Sequence, residues 1–309
     1  MCLADASNSL ARVLSIQSHV VSGYVGNKAA VFPLQLLGYD VDVLPSVTLA
    51  NHTGYAKGAA GPRHTAEEVA IWLEGLRVNN LLADVTHLLT GYIGTPGALT
   101  AVVDAVQLLR KEATDKLVFL CDPVLGDDGK LYVHENVVKV YVDQVLPLAT
   151  ILTPNAFELG VLTGRKIETR KEAFAASDYM HDKYSIPTII VTGTRFDSNS
   201  GRVAVLVSSW GNGEDSTRFA LTAEFIDGSF TGTGDLLAAL LLAWTSRLPG
   251  DLVAACRNAM ASVTAVLKRT VATPRGKGLT EKPELKLIQS QREILKPPVE
   301  LVKVEMIST

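Results

Sequence analysis

Cysteine is scarce in this chain of 309 residues: Cys2, Cys121 and Cys256 are the only three. They are too few and too scattered for a disulfide framework or a zinc ribbon. The scarcity fits a reducing compartment, and a cytoplasmic location is the expectation. No block of five or six like charges occurs, and 29 lysines and arginines nearly balance 32 acids, for a net charge of -3. A chain without a basic face is not expected to take nucleic acid or an anionic membrane as its main partner. The longest strongly apolar run, residues 236–244, is about half the roughly 20 residues a spanning helix needs, so it reads as a buried core helix. Residues 1–10 carry Asp5 and lack the basic end and long apolar stretch of a secretory signal; residues 1–11 read as a loose tail and 12–309 as one domain. Neither G-x-x-x-x-G-K-[ST] nor G-x-G-x-x-G is present, which leaves a P-loop or a dinucleotide fold without support. The histidines form no H-x-x-x-H pair, and His19 and His52 stand isolated, the pattern of structural rather than metal-binding imidazoles.

What is present is a hydrophobic content of 47%, enough to build a substantial core. Residues 12–17, 41–44, 85–89, 117–121, 150–152 and 188–192 are short apolar runs bounded by turn residues and read as buried strands. Between most of them lie stretches with helical spacing, at 27–37, 66–76, 95–111 and 155–162. That alternation predicts a mainly parallel sheet covered on both faces. Residues 203–208 and 218–223, joined by a turn-rich segment, read as an antiparallel hairpin near a sheet edge, and helices are expected at 234–247 and 251–270.

In open parallel sheets ligands bind beyond the carboxyl ends of the strands, so the loops there carry the candidate chemistry. Gly232-Thr233-Gly234-Asp235 precedes an apolar helix. Its glycines let backbone N–H groups converge where the helix dipole favours an anion. A carboxylate repels phosphate, so Asp235 makes sense beside that cradle as a base; the alternative is a glycine turn with Asp235 capping the helix. Asp122 and Asp127 bracket a turn after one strand, a pair suited to Mg²⁺ or equally to a solvated turn. Thr153-Pro154-Asn155 with Glu158 has the spacing of a capping box, which explains most of it unless Glu158 also faces a metal. Ser18, Thr53 and Tyr92 are polar or aromatic loop residues able to bond or stack on a polar ring.

In this order, Val13-Leu14-Ser15-Ile16-Gln17-Ser18-His19, Gly23-Tyr24-Val25-Gly26-Asn27, Asn51-His52-Thr53-Gly54-Tyr55, Leu89-Thr90-Gly91-Tyr92, the run from Cys121 to Asp127, Thr153-Pro154-Asn155 and the run from Phe230 to Asp235 resemble the eukaryotic-type pyridoxal kinases of the ribokinase superfamily. The likeness spans about residues 12–300. It implies a ribokinase-like α/β three-layer sandwich, a homodimer, and ATP-dependent phosphorylation of the 5′-hydroxymethyl group of pyridoxal, pyridoxine and pyridoxamine. By position, Asp235 would be the base, with Gly232, Thr233 and Gly234 around the transferred phosphoryl. Ser18 and Thr53 would meet the pyridoxal ring, with Tyr92 packed against it. Asp122, Thr153 and Thr192 would lie near a monovalent cation, K⁺, and the nucleotide. Asp127 and Glu158 would serve the Mg²⁺ of ATP, and Asn155 would approach the phosphates. Gly193 would lie at the nucleotide edge, and Ile226, Asp227 and Gly228 would border the adenosine. Leu49, Thr231 and Gly193 depart from the family pattern. Two rival readings are a hydroxymethylpyrimidine kinase and a non-catalytic protein that binds pyridoxal phosphate.

Overall fold

Short apolar runs bounded by turn residues pair side by side, and the amphipathic stretches between them pack against the faces so formed. The computed structural model describes residues 11–113, 116–197, 200–211, 216–273 and 282–308; residues 1–10, most of the expected tail, lie outside them. The strands are β1 (Arg12–Val20), β2 (Asp40–Leu49), β3 (Val85–Thr90), β4 (Val118–Cys121), β5 (Gly126–Asp127), β6 (Lys130–Leu131), β7 (Ile151–Leu152), β8 (Thr188–Thr194), β9 (Arg202–Trp210), β10 (Ser216–Glu224) and β11 (Lys303–Met306). The helices are α1 (Asn27–Leu36), α2 (Ala66–Val78), α3 (Pro96–Glu112), α4 (Glu135–Val140), α5 (Ala156–Thr163), α6 (Arg170–Tyr184), α7 (Thr233–Arg247), α8 (Leu252–Ala272) and α9 (Gln291–Leu295).

Nine strands form one sheet in the order β11-β10-β9-β8-β7-β4-β3-β1-β2. The pairs from β2 across to β8 are parallel, and β9, β10 and β11 continue the sheet antiparallel. β5 and β6 form a separate small hairpin. Side chains alternate between the two faces, as the pleat requires. Leu14, Leu88, Phe119, Ile189 and Leu206 pack with α2, α3, α5 and α6. Their neighbours Val13, Leu89, Leu120, Ile190 and Val207 pack with α1, α7 and α8 on the other face. The expected three-layer α/β sandwich is the observed architecture.

Helix starts follow the local chemistry. Thr65 and Glu68 open α2, and Thr169 and Glu172 open α6, each pair closing a reciprocal capping box. The sequence reading omitted α4, α6 and β11. α4 is six residues long and runs into a π-helical turn at Tyr141–Val145, which breaks the 3.6-residue period. β11 is only four residues long and exposed throughout; Val304 and Met306 alternate with Lys303 and Glu305, but only its pairing with β10 fixes so short a run as a strand. It takes the sheet edge, so the β9–β10 hairpin lies one strand inside.

The chain runs from β1 outward to β2 and then crosses to β3 on the other side of β1. The carboxyl ends of β1 and β3 therefore flank a point where the topology reverses, the place where such sheets hold ligands.

Candidate active site

The apolar helix α7 begins one residue after Gly232, whose φ of 89° lies in the left-handed region. A Cβ at Gly232 would collide with the carbonyl oxygen of Tyr24, so this turn accepts only glycine. The first N–H groups of α7 have no intrahelical acceptors and point outward with the positive end of the dipole. Asp235 is the third residue of that helix, and its Oδ2 accepts the Gly26 N–H at 2.7 Å. The carboxylate is thus tied to the β1–α1 loop, not to its own helix, and the capping alternative for Asp235 is not what forms. Crowding protein around it raises its pKa, and the Gly26 N–H opposes part of that rise.

Asp122 follows β4 and is buried. Its Oδ2 would lie 3.8 Å from a Cβ placed on Gly234, which sets the carboxylate directly behind the start of α7. Burial first, then the negative charges of Glu158 and Asp235, raise its pKa well above the usual range. Asp122 therefore feels two further carboxylates in a poorly solvated setting, which favours its protonated form. Thr90 Oγ1 and Thr153 Oγ1 are buried there without a hydrogen-bond partner. The Thr153 hydroxyl approaches Asp122 closely enough to moderate its pKa, yet makes no bond of full geometry with it.

Glu158 does close the capping box read from sequence. Asn155 Oδ1 accepts the Glu158 N–H at 2.8 Å, and Glu158 Oε2 accepts the Asn155 N–H at 2.9 Å. It also does more, because Oε1 accepts the N–H groups of Leu125 at 2.9 Å and Gly126 at 3.4 Å. Asn155 Nδ2 donates to the Gly126 carbonyl at 2.8 Å. The start of α5 therefore clamps the loop between Asp122 and Asp127. Burial pushes Glu158 up to about 7 in spite of its backbone donors. Asp127 sits exposed on β5, beside a turn in which Asp128 and Gly129 both have positive φ, at 48° and 76°. Among the described residues no three His, Cys, Asp or Glu side chains gather closely enough to hold a metal by themselves.

Pro154 and Thr192 join the next two strands: the Thr192 N–H donates to the Pro154 carbonyl at 2.8 Å, and Asn155 bridges to Thr192. The β8–β9 register slips between Val191 and Thr194, and Gly193 has a φ of 64°. This irregularity turns Thr192 and Gly193 away from the ladder. Ile226, Asp227 and Gly228 lie in the loop between β10 and α7.

On the other side, the β1–β2 register slips between Gln17 and His19, where Ser46 and Val47 of β2 together stand opposite Ser18, so β2 carries a bulge that interrupts the ladder beside Ser18. The Ser18 hydroxyl and carbonyl lie against Gly26, where no Cβ would fit. Tyr92 follows β3, and its carbonyl accepts the Ser46 hydroxyl at 2.6 Å. Thr53 is exposed in the loop after β2. Its neighbour His52 is buried, accepts the Gly54 N–H on Nδ1 at 3.1 Å and meets Glu284 through Nε2 at 3.0 Å. Ser18, Thr53 and Tyr92 thus sit at or just beyond three adjacent strand ends, and of the three Ser18 lies against Gly26. Sequence reading gave no chemistry to Tyr24, Gly26 or Glu284. Two glycines three apart after Ser18 were the visible signal for the first pair; nothing local marked Glu284.

The chain is similar to known proteins over nearly its whole length. The family model described as phosphomethylpyrimidine kinase matches residues 45–281. A pyridoxal kinase of Arabidopsis thaliana is 42% identical over 295 residues, covering 94% of this chain and 93% of that protein. A pyridoxal kinase of Homo sapiens is 40% identical over 304 residues, with 93% and 96% covered. The structure of pyridoxal kinase from Leishmania donovani in complex with ADP and pyridoxamine superposes with a TM-score of 0.87 at 34% identity, covering 96% of this chain and 99% of that one. At about 40% identity to pyridoxal kinases over more than nine tenths of its length, the chain belongs to the pyridoxal kinase family of the ribokinase-like fold.

Proposed function

We propose that this protein transfers the γ-phosphoryl group of ATP to the 5′-hydroxymethyl of pyridoxal, and likewise of pyridoxine and pyridoxamine. The observation that carries the reading is the Asp235 carboxylate, fixed by the Gly26 N–H at 2.7 Å beside the free N–H groups that open α7. A hydroxyl held there has an acceptor for its proton on one side and an anion cradle on the other. An alcohol is too weak an acid for a carboxylate to ionise beforehand. Asp235 takes the proton as the acceptor O–P bond forms and the bond from phosphorus to the ADP oxygen breaks, releasing ADP, while the N–H groups of Thr233 and Gly234 stabilise the charge of the transferred group. Ser18, Thr53 and Tyr92 orient the ring.

The nucleotide lies along Asn155, Thr192, Gly193 and the loop of Ile226, Asp227 and Gly228. The residues fit a divalent ion shared with phosphate: Asp127 is an exposed carboxylate, and three N–H donors leave Glu158 about one of its four lone-pair sites for a metal or its water. Mg²⁺ bound there would neutralise the phosphate charge. The unpartnered hydroxyls of Thr90 and Thr153 beside buried Asp122 fit a monovalent cation such as K⁺, with Thr192 at the neighbouring strand end. One domain over residues 12–309, a homodimer and a cytoplasmic location complete the reading; no helix among the described residues is long and apolar enough to cross a membrane.

The family model's description favours a second reading, a hydroxymethylpyrimidine kinase. Phosphorylation by ATP and Mg²⁺ of each vitamer and of hydroxymethylpyrimidine separates the two, and pyridoxal should be preferred. Replacing K⁺ by a bulky organic cation should weaken ATP use. Asp235→Asn should lower turnover by about 10² to 10⁴ while ATP affinity stays near normal. Near-normal turnover in a folded Asp235→Asn protein would reject the base assignment.

A further inference from the structure

The carboxylate of Glu284, which follows α8 in the chain, reaches back across the molecule to two loops at once. Its Oε2 accepts the Tyr24 N–H at 2.9 Å, and its Oε1 accepts the Tyr55 hydroxyl at 2.8 Å and meets His52 Nε2 at 3.0 Å. The His52 and Tyr55 rings pack 4.7 Å apart. Gly23, with a φ of 99°, lies so close that an added Cβ would meet Glu284 Oε1 at 2.6 Å. The backbone has therefore given up a side chain to admit the carboxylate. The Glu284 side chain is 24% exposed, and bonds to an ionised carboxylate shielded to that degree are among the stronger ones a fold can make.

What these bonds hold is informative. Tyr24 is two residues from Gly26, the donor to Asp235, and the Tyr24 carbonyl fills the space that makes Gly232 obligatory. His52 and Tyr55 flank Thr53. One side chain from the C-terminal segment thus fixes both the strut that sets Asp235 and the loop that presents Thr53. Nearby, a Cβ on Gly54 would meet Lys282 Cδ at 2.8 Å, and the Lys282 charge opposes part of the rise that burial gives the Asp127 pKa. The same segment therefore borders the acceptor and the phosphate sides.

We infer that Glu284 is a positioning residue for the acceptor alcohol: it locks the 23–26 and 52–55 loops together so that the hydroxymethyl group is presented to Asp235. This rests on the kinase reading above and adds a residue that touches neither substrate nor phosphate. A general destabilisation would lower the active fraction and so kcat, leaving both KM values alone. A latch on the acceptor side changes one KM and not the other.

The test compares wild type, Glu284→Ala and Glu284→Gln in full-length protein. Glu284→Ala is expected to raise KM for pyridoxal about tenfold and to leave KM for ATP within about twofold. Glu284→Gln keeps an acceptor oxygen and should recover most of the difference. Hydrogen exchange should show faster exchange at the Tyr24 and Gly54 amides in Glu284→Ala, with α1 and α8 unchanged. An unchanged pyridoxal KM with lower kcat, equal rises in both KM values, or unchanged exchange at Tyr24 and Gly54 would each overturn the inference. Wild type that does not phosphorylate pyridoxal would refute the kinase reading, while the exchange arm still decides whether Glu284 holds the two loops.

Discussion

Asp235 and Gly232 are three residues apart and depend on each other through Tyr24 and Gly26. Gly232 must be bare because the Tyr24 carbonyl occupies its Cβ position, and the same loop then delivers the Gly26 N–H to Asp235. Gly232→Ala would combine a positive φ, which costs an L-residue about 1 to 2 kcal/mol, with that collision. Its Tm should fall by a few degrees and its turnover by more than about tenfold, since the strut behind the base must shift. Gly75 is the control: it sits mid-α2 with nothing within 4 Å of an added Cβ. Gly75→Ala should raise stability by roughly 0.5 to 1 kcal/mol and leave turnover alone. Thermal melting and steady-state rates on both variants check the pair, and an active, stable Gly232→Ala would contradict the packing argument.

Among the elements, the β5–β6 hairpin is the least anchored. It has two residues per strand, and residues 127–131 are exposed; Glu158 and Asn155 hold its base through Leu125 and Gly126. A hairpin this short is marginal by itself, and its position beside the proposed phosphates suits a closing lid. Trypsin cleavage after exposed Lys130 should slow when an ATP analogue and Mg²⁺ bind, and equal cleavage with and without them would argue against closure. A different element carries a pH response. His87 on β3 is buried against Tyr39, ring centroids 5.8 Å apart, and burial lowers its pKa from 6.5 to about 4. Folding keeps the ring neutral, so this contribution is complete above pH 6.5 and is lost as pH falls toward 4. The loss approaches about 1.4 kcal/mol per pH unit below 6.5, or about 2 kcal/mol by pH 5. His87→Gln should flatten the fall in Tm between pH 7 and pH 5 relative to wild type; an identical slope would mean that His87 does not contribute.

At the level of the molecule, a nine-stranded sheet with helices on both faces leaves β2 and β11 as its edges. Val43 on β2 and Ile71 and Val78 on α2 remain exposed. The proposed pairing of subunits should appear as twice 33.1 kDa by sedimentation equilibrium. A single-subunit mass across micromolar concentrations would remove the homodimer.

Much of this was legible from residue order. The core strands and α1, α2, α3, α5, α7 and α8 came from local apolar spacing, because burial on both faces of a parallel sheet leaves runs such as Thr-Ile-Ile-Val that need no partner to be recognised. The motif loops followed from the rule that such strands carry ligands at their carboxyl ends. Other features depended on contacts distant in sequence. β11 is a strand only through β10, and Asp235 is tied to Gly26 across 209 residues. Glu284 reaches Tyr24 across 260 residues. Local patterning reports what a segment buries, and it is silent on which distant backbone group will meet a carboxylate. That pairing is set when the layers close and each buried charge must find a donor.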